Sequence, residues 1–326
     1  MKISVIIPIY NVEHFIGRCV RTLMEQTLDD VEFIFVNDAT TDNSMSVLNK
    51  TLKSYPNRLR QVKIINHNEN KGLPAARNTG LKVASGKYIF HCDSDDYLEP
   101  DILLNLYEEA ERQGADYVWC DYSVDLGSEH HFIGQPTMAN VDLAIRCALA
   151  GKLVYNVWNK LVAKELYEKN NIEFPAGYAM GEDMTMIMLL ACASKVAHIQ
   201  YLGYHYVTTN SDALTKKFYK LDNIQSLKYN IQRVTDYLHE KFDEKYFEET
   251  SYFKLSLKWS LLAFCHDVKC YKLWHDWFPE TNNFIFRQNV SLRVKVVEWL
   301  ASKRQYWLVK LHYILVIKCF YKLRGK

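Results

Sequence analysis

Short apolar runs closed by turn residues alternate with stretches of helical spacing through the first two fifths of the chain. Ile3 to Ile9 is an apolar run carrying Pro8, and Val12 to Leu28 follows with Phe15, Cys19, Val20 and Leu23 on one helical face. Val31 to Val36 is a second run, followed by the turn-rich Asn37 to Ser44 and a helical stretch from Met45 to Leu52. Val62 to Asn66 predicts a third strand and Leu73 to Ala84 a helix. Lys87 to Cys92 predicts a fourth strand, Asp101 to Gln113 a helix stopped by Gly114, and Asp116 to Ser123 a fifth strand. This alternation predicts an α/β fold, a mostly parallel sheet with helices on both faces. Beyond it the pattern loosens until a helix from Met184 to Ala193 and a strand from Ala197 to Tyr206. From Lys216 onward the spacing is helical and aromatic, which divides the chain into a sheet domain, residues 1–215, and a helical C-terminal region, residues 216–326.

Composition adds little until charge is followed along the chain. The 326 residues, 48% hydrophobic and 24% charged, suit a globular protein. Net charge is only +2, yet residues 284–326 hold ten of the forty Lys and Arg and only one acid, Glu298. The body is therefore acidic and the tail basic. Eight dispersed cysteines and a strand-like start suggest a reduced cytoplasmic location without a leader. Cys265, His266 and Cys270 lack the further ligands of a structural zinc site.

Ligands of such sheets bind beyond the carboxyl ends of the strands, where this chain has two Asp-rich turns. Asp93 and Asp95 leave the fourth run two positions apart. If the strand continues that far, their carboxylates lie about 6 to 7 Å apart on one side. At an effective dielectric near 20 they repel by about 2 to 3 kcal/mol, which Mg²⁺ or Mn²⁺ bridging them to phosphate oxygens would reverse. Capping of the helix near Asp101 is the simpler alternative. Arg77 could pair with a diphosphate or tie down Asp38 or Asp93.

Four segments in order carry a family resemblance: Val5-Ile-Ile-Pro-Ile-Tyr-Asn-Val12, Phe35-Val-Asn-Asp-Ala-Thr-Thr-Asp-Asn-Ser44, Asn70-Lys-Gly-Leu-Pro-Ala-Ala-Arg-Asn-Thr-Gly80 and Cys92-Asp-Ser-Asp-Asp96. With Trp158-Asn-Lys-Leu161 and Gly181-Glu-Asp183, the chain resembles family 2 glycosyltransferases of the GT-A, Rossmann-like fold from about Lys2 to Ser211. The resemblance implies an inverting transferase that uses a nucleotide-sugar, with a saccharide or lipid-linked saccharide as acceptor. Pro8, Ile9 and Tyr10 would line the base pocket, Asp38 would bond the uracil or ribose, and Arg77, Asp93 and Ser94 would hold the donor. Asp183 would be the general base and Glu182 would orient the acceptor, although acids at a helix N-terminus are favoured whatever they do. Trp158 to Lys160 would form an acceptor or donor wall, Trp158 offering a flat face to a sugar ring and Lys160 a charge near phosphate. Asp93 and Asp95 would hold a divalent metal, with His205 either a third ligand or a packed strand residue. The family commonly has Asp-Asp-Gly-Ser where this chain has Asn37-Asp38-Ala39-Thr40, which loosens the case for uridine. A non-catalytic nucleotide-binding scaffold of the same fold is the alternative.

Tyr306 to Leu323 is broken by Lys310 and Lys318, so it is too charged to span a membrane. A basic, aromatic, amphipathic helix suits an anionic membrane surface, such as the inner face of the plasma membrane, or else packs on the sheet domain. The acidic body and the lack of a reading motif exclude nucleic acid as the expected partner.

Overall fold

The computed structural model describes residues 1–127, 129–179, 181–210, 221–264 and 267–318. It forms two compact units: residues 1–148 with 152–230, and residues 149–151 with 231–326. The junction expected at Thr215 lies outside the described residues, as do Cys265, His266 and the tail from 319.

The first unit opens with β1 (Ile3–Ile9), α1 (Ile16–Met24), β2 (Val31–Asn37), α2 (Ser44–Leu52), β3 (Val62–Asn66), α3 (Leu73–Val83) and β4 (Tyr88–His91). Every residue of β1 and the first six of β2 are buried, which is why these strands read as unbroken apolar runs. They form a parallel half-sheet in the order β3-β2-β1-β4. Inside it Glu32 accepts from Ser4 (2.6 Å) and Lys63 (2.6 Å). Those bonds outweigh the cost of its burial and hold its carboxyl down at about 2.

The sheet then turns mixed. The two-residue β5 (Tyr97–Leu98) is followed by α4 (Ile102–Gln113), which Gly114 closes in the left-handed conformation, φ 64°. Next come β6 (Tyr117–Asp125), β7 (His130–Ile133), α5 (Val141–Leu149), β8 (Lys160–Ala163), α6 (Lys164–Lys169), α7 (Glu182–Cys192), β9 (Val196–Val207) and α8 (Leu221–Phe242). Strand β8 enters antiparallel between β4 and β6, β9 runs parallel to β6, and β5 pairs antiparallel with β9. The expectation of a mostly parallel sheet therefore holds for the first half only. Four of the eight described strand pairings are antiparallel.

In the second unit are α9 (Phe247–Lys258), α10 (Ser260–Ala263), α11 (Val268–Asp276), α12 (Leu292–Ser302) and α13 (Tyr306–His312), which passes into a π-helical turn, Tyr313–Lys318. No helix among the described residues is long and apolar enough to cross a membrane. Cys19, Cys92, Cys120 and Cys147 are free thiols. Cys270 is disulfide-bonded, so dispersal of the cysteines does not by itself argue for a reducing compartment.

Candidate active site

Strand β4 ends at His91, and Asp93 to Asp96 form a turn in which the Asp96 amide donates to the Asp93 carbonyl (3.1 Å). The two-residue spacing of Asp93 and Asp95 is thus a turn spacing and not a strand spacing. The three aspartates part company. Asp96 is fully buried and structural, accepting from the Tyr204 hydroxyl (2.6 Å) and the Val207 amide (2.8 Å). Asp93 takes a 2.6 Å charged bond from Arg77 through Oδ1, and Asp95 accepts from Asn210 through Oδ2 (2.8 Å). Burial, reinforced by the charge of Asp93, pushes the Asp95 carboxyl up to about 6. Ser94 is buried within this turn.

Arg77, on α3, is 1% exposed, and its Nε and second terminal nitrogen find no partner. Burial works against its charge, but Asp93, Glu182 and Asp183 more than offset that and raise its pKa. One guanidinium thus lies in the field of both acidic motifs. On α7, Asp183 accepts from the Val157 amide (3.0 Å), and burial lifts its carboxyl above the ordinary range. Burial lifts Glu182 to about 7, and its Oε1 has no hydrogen-bond partner. The chain enters α7 at Gly181, where a Cβ would stand 2.3 Å from the Asn230 side chain, so no larger residue fits.

The residues expected at the nucleotide lie at the end of β1 and in the loops after β1 and β2. Tyr10 is 46% exposed, whereas Pro8 and Ile9 are buried in the sheet and can only floor a base pocket. Asp38 is also buried. It accepts from the Lys71 and Gly72 amides, both at 2.8 Å, and bonds His67 at 2.7 Å. Three of its roughly four acceptor positions are therefore spent on shaping the loop, leaving one for a ligand. Asn37 bonds the Asn66 side chain (2.9 Å) and accepts from the Thr40 amide (2.9 Å).

Three expectations need correction. His205 bonds Ser123 (2.7 Å) with one ring nitrogen and Glu99 (2.8 Å) with the other, and stacks on Tyr97, so it has no lone pair to offer a metal. Strand alternation explains this: Tyr204 points its hydroxyl at the Asp93 amide (3.1 Å) and at Asp96, so its neighbour His205 points away. Trp158 is 5% exposed, stacked on Tyr204 and Tyr206 and edge-on to Tyr122, so it packs the core and offers no open platform. Lys160 is 1% exposed in β8, donates to the Asn159 side chain (2.6 Å) and is brought down to about 7 by burial, so its ammonium does not reach out to a phosphate. Sequence reasoning missed His67, Tyr204, Asn210 and the separate role of Asp96. Only Tyr204 had a signal, its place one residue before His205.

The chemistry of Asp93 and Asp95, two hard oxygen donors, suits a divalent cation. Each bond described above uses one carboxylate oxygen, and Asp95 is held at a pKa that an added positive charge would relieve. Among the described residues no cluster of three or more His, Cys, Asp or Glu is arranged for a metal, so donor phosphate oxygens would have to complete the shell.

A parallel half-sheet with acidic turns beyond its carboxyl ends, continued by a mixed half, defines a GT-A-like α/β protein. The chain belongs to glycosyl transferase family 2, whose family model matches residues 4–178. It is 32% identical over 225 residues to the uncharacterized glycosyltransferase EpsJ of Bacillus subtilis, covering 67% of this chain and 64% of that one. To the poly(ribitol-phosphate) beta-glucosyltransferase of Bacillus spizizenii it is 33% identical over 220 residues, 64% of this chain and 32% of that one. The chain thus spans less than two thirds of either relative. Its fold is that of Staphylococcus aureus TarS, residues 1–349, with a TM-score of 0.72 at 17% identity, covering 96% of this chain and 91% of that one. TarS has also been solved with UDP-GlcNAc and with UDP.

Proposed function

We propose that the chain is an inverting glycosyltransferase that moves a sugar from a nucleotide-sugar, with UDP as leaving group, to a hydroxyl of a saccharide or lipid-linked saccharide in cell-surface polysaccharide synthesis. The observation that carries this reading is Arg77, a buried cation shared between Asp93 on the donor side and Glu182 and Asp183 on the other. Family membership, the solved UDP and UDP-GlcNAc complexes of TarS and the relative that glucosylates poly(ribitol-phosphate) support it.

In this reading Asp183 removes the proton from the acceptor hydroxyl while its oxygen bonds to the anomeric carbon and the carbon–oxygen bond to UDP breaks on the opposite face. Burial makes Asp183 a stronger base than an exposed aspartate, and the Val157 amide fixes its orientation. Glu182 orients the acceptor. Tyr10 and the last acceptor position of Asp38 serve the nucleotide, and Arg77 and Ser94 the turn that receives the diphosphate. Asp93 and Asp95 would hold Mn²⁺ or Mg²⁺, which when bound supplies neutralising charge to the departing diphosphate. Nucleotide-sugar supply puts the reaction on the cytoplasmic side, at the inner face of the plasma membrane, whose anionic surface would present a lipid-linked acceptor.

Release of UDP from a panel of nucleotide-sugars, with and without Mn²⁺, tests the reading. Asp183→Asn is expected to lower transfer by at least about 10²-fold, the scale of a lost general base, while UDP affinity by calorimetry stays near the parent value. Asp95→Ala is expected to weaken UDP and Mn²⁺ binding together. Transfer near the parent rate in Asp183→Asn would remove the base assignment.

A further inference from the structure

The second unit carries an inverted amphipathic surface. Helix α12 buries Val297, Ala301 and the one acid of the region, Glu298, yet presents a second apolar stripe outward. Leu292, Val296 and Trp299 are 69%, 41% and 43% exposed and fall within about 60° of one another around the helix, at 3.6 residues per turn. Arg293 and Lys295 border that stripe on either side, and Lys303 extends its line. The next helix repeats the pattern. In α13 Val309 is buried, while Trp307 (65%) and Leu311 (43%) face outward beside Lys310, and the π-helical turn continues with exposed Leu315 (59%). Arg293 and His312 meet at 3.4 Å, so the two helices lie side by side.

A soluble helix already packed on one side should be polar on the other. Here each helix instead shows tryptophan and leucine ringed by cations, and no acid is exposed between residues 284 and 318. We propose that this α12–α13 face docks on an anionic lipid surface. Trp299, Trp307, Leu292 and Leu315 would enter the headgroup boundary, and Arg293, Lys295, Lys303 and Lys310 would meet the lipid phosphates. Tryptophan suits that boundary, having an apolar body and a polar edge. A second copy of the chain is a poorer occupant, because two such faces would set like charges against each other. The membrane surface invoked above thus acquires a specific docking face. The proposal rests on that reading for the acceptor but not for the docking itself.

Flotation of the full chain with phosphatidylglycerol-rich vesicles, with phosphatidylcholine vesicles and without vesicles tests the docking. Binding is expected to the first only, to weaken with added salt, and to fall about tenfold or more in Trp299→Ser with Trp307→Ser. Lys303→Gln with Lys310→Gln should remove much of the preference for anionic lipid. All these side chains are exposed, so circular dichroism should show parent-like folding. The proposal is overturned if the parent stays unbound, or if the tryptophan variant floats as the parent does. It is equally overturned if the parent only self-associates and that variant restores the monomer. UDP release to a soluble acceptor, assayed on the same preparations, separates this outcome from failure of the transferase reading, because the variants should leave it unchanged.

Discussion

Arg77 holds its charge in the interior by facing carboxylates from two motifs, Asp93 and Glu182-Asp183, that lie far apart in sequence. An Asp-rich turn and a Glu-Asp helix start are each plausible as caps when read alone, and their shared cation gives them a common electrostatic purpose. The arginine was legible as a site residue from its place behind Gly72 and Pro74, but its reach toward Glu182 and Asp183 was not, since sequence separation hides which motifs converge. Removing it should therefore disturb both halves at once. Arg77→Met is expected to destabilise the fold by about 3 kcal/mol, the usual scale for breaking a buried pair, and to lift the Glu182 pKa further above about 7. Arg77→Lys keeps the charge but loses the planar fork, so stability should recover more fully than UDP affinity. Thermal unfolding and calorimetric titration separate the two effects. Equal recovery of both by lysine would mean that only net charge matters.

The elements were legible where burial is two-sided and lost where strands are short. Parallel β1, β2 and β4 read as apolar runs, β3 was read although none of its residues is buried, and α4 was marked by its closing glycine. Strand β5 has two residues, and β7 and β8 have four each, too few to show a period, so of the mixed half only β6 and β9 were read and Lys160 passed for an exposed residue. Loop chemistry was better written. The chain has Ala39 where the family commonly has glycine, and Ala39 sits at φ 55°, the left-handed region that a Cβ makes costly. The Asn37 side chain bonded to the Thr40 amide helps hold this turn despite the cost. Ala39→Gly should then relieve strain worth about 1 kcal/mol or slightly more, partly offset by the greater freedom of glycine in the unfolded chain. The expected result is a gain of about 0.5 kcal/mol, read as a higher urea midpoint at an unchanged denaturant slope. A loss of stability would show that the turn carries no such strain.

At the scale of the whole molecule, both compact units bury charge in the same way. Each holds a carboxyl raised to about 7 by burial, Glu182 in the first and Glu298 in the second. Each also holds a lysine lowered by burial, Lys160 to about 7 and Lys258 to about 8. For a raised carboxyl the folded chain binds more protons than the unfolded one, so its contribution is complete below about pH 4.5 and lost as pH rises through 7. For a lowered lysine the unfolded chain binds more, so its contribution is complete above about pH 10.5 and lost as pH falls through 8 and then 7. Both penalties overlap between pH 7 and 8, where the two carboxyls and Lys258 each cost up to about 3 kcal/mol and Lys160 up to about 4 kcal/mol. Glu32, held at about 2, acts oppositely and sets the acid limit, since its contribution is lost below about pH 4.5. Melting temperature should therefore pass through a shallow minimum near pH 7 to 8 between higher values near pH 5.5 and pH 9. Glu298→Gln removes one carboxyl from this balance in the second unit, and its Oε1 has no hydrogen-bond partner to lose. That variant should melt higher than the parent at pH 7.5 and close to it at pH 5. A difference of the same size and sign at both pH values would trace the effect to packing around Gln288 and not to the buried charge.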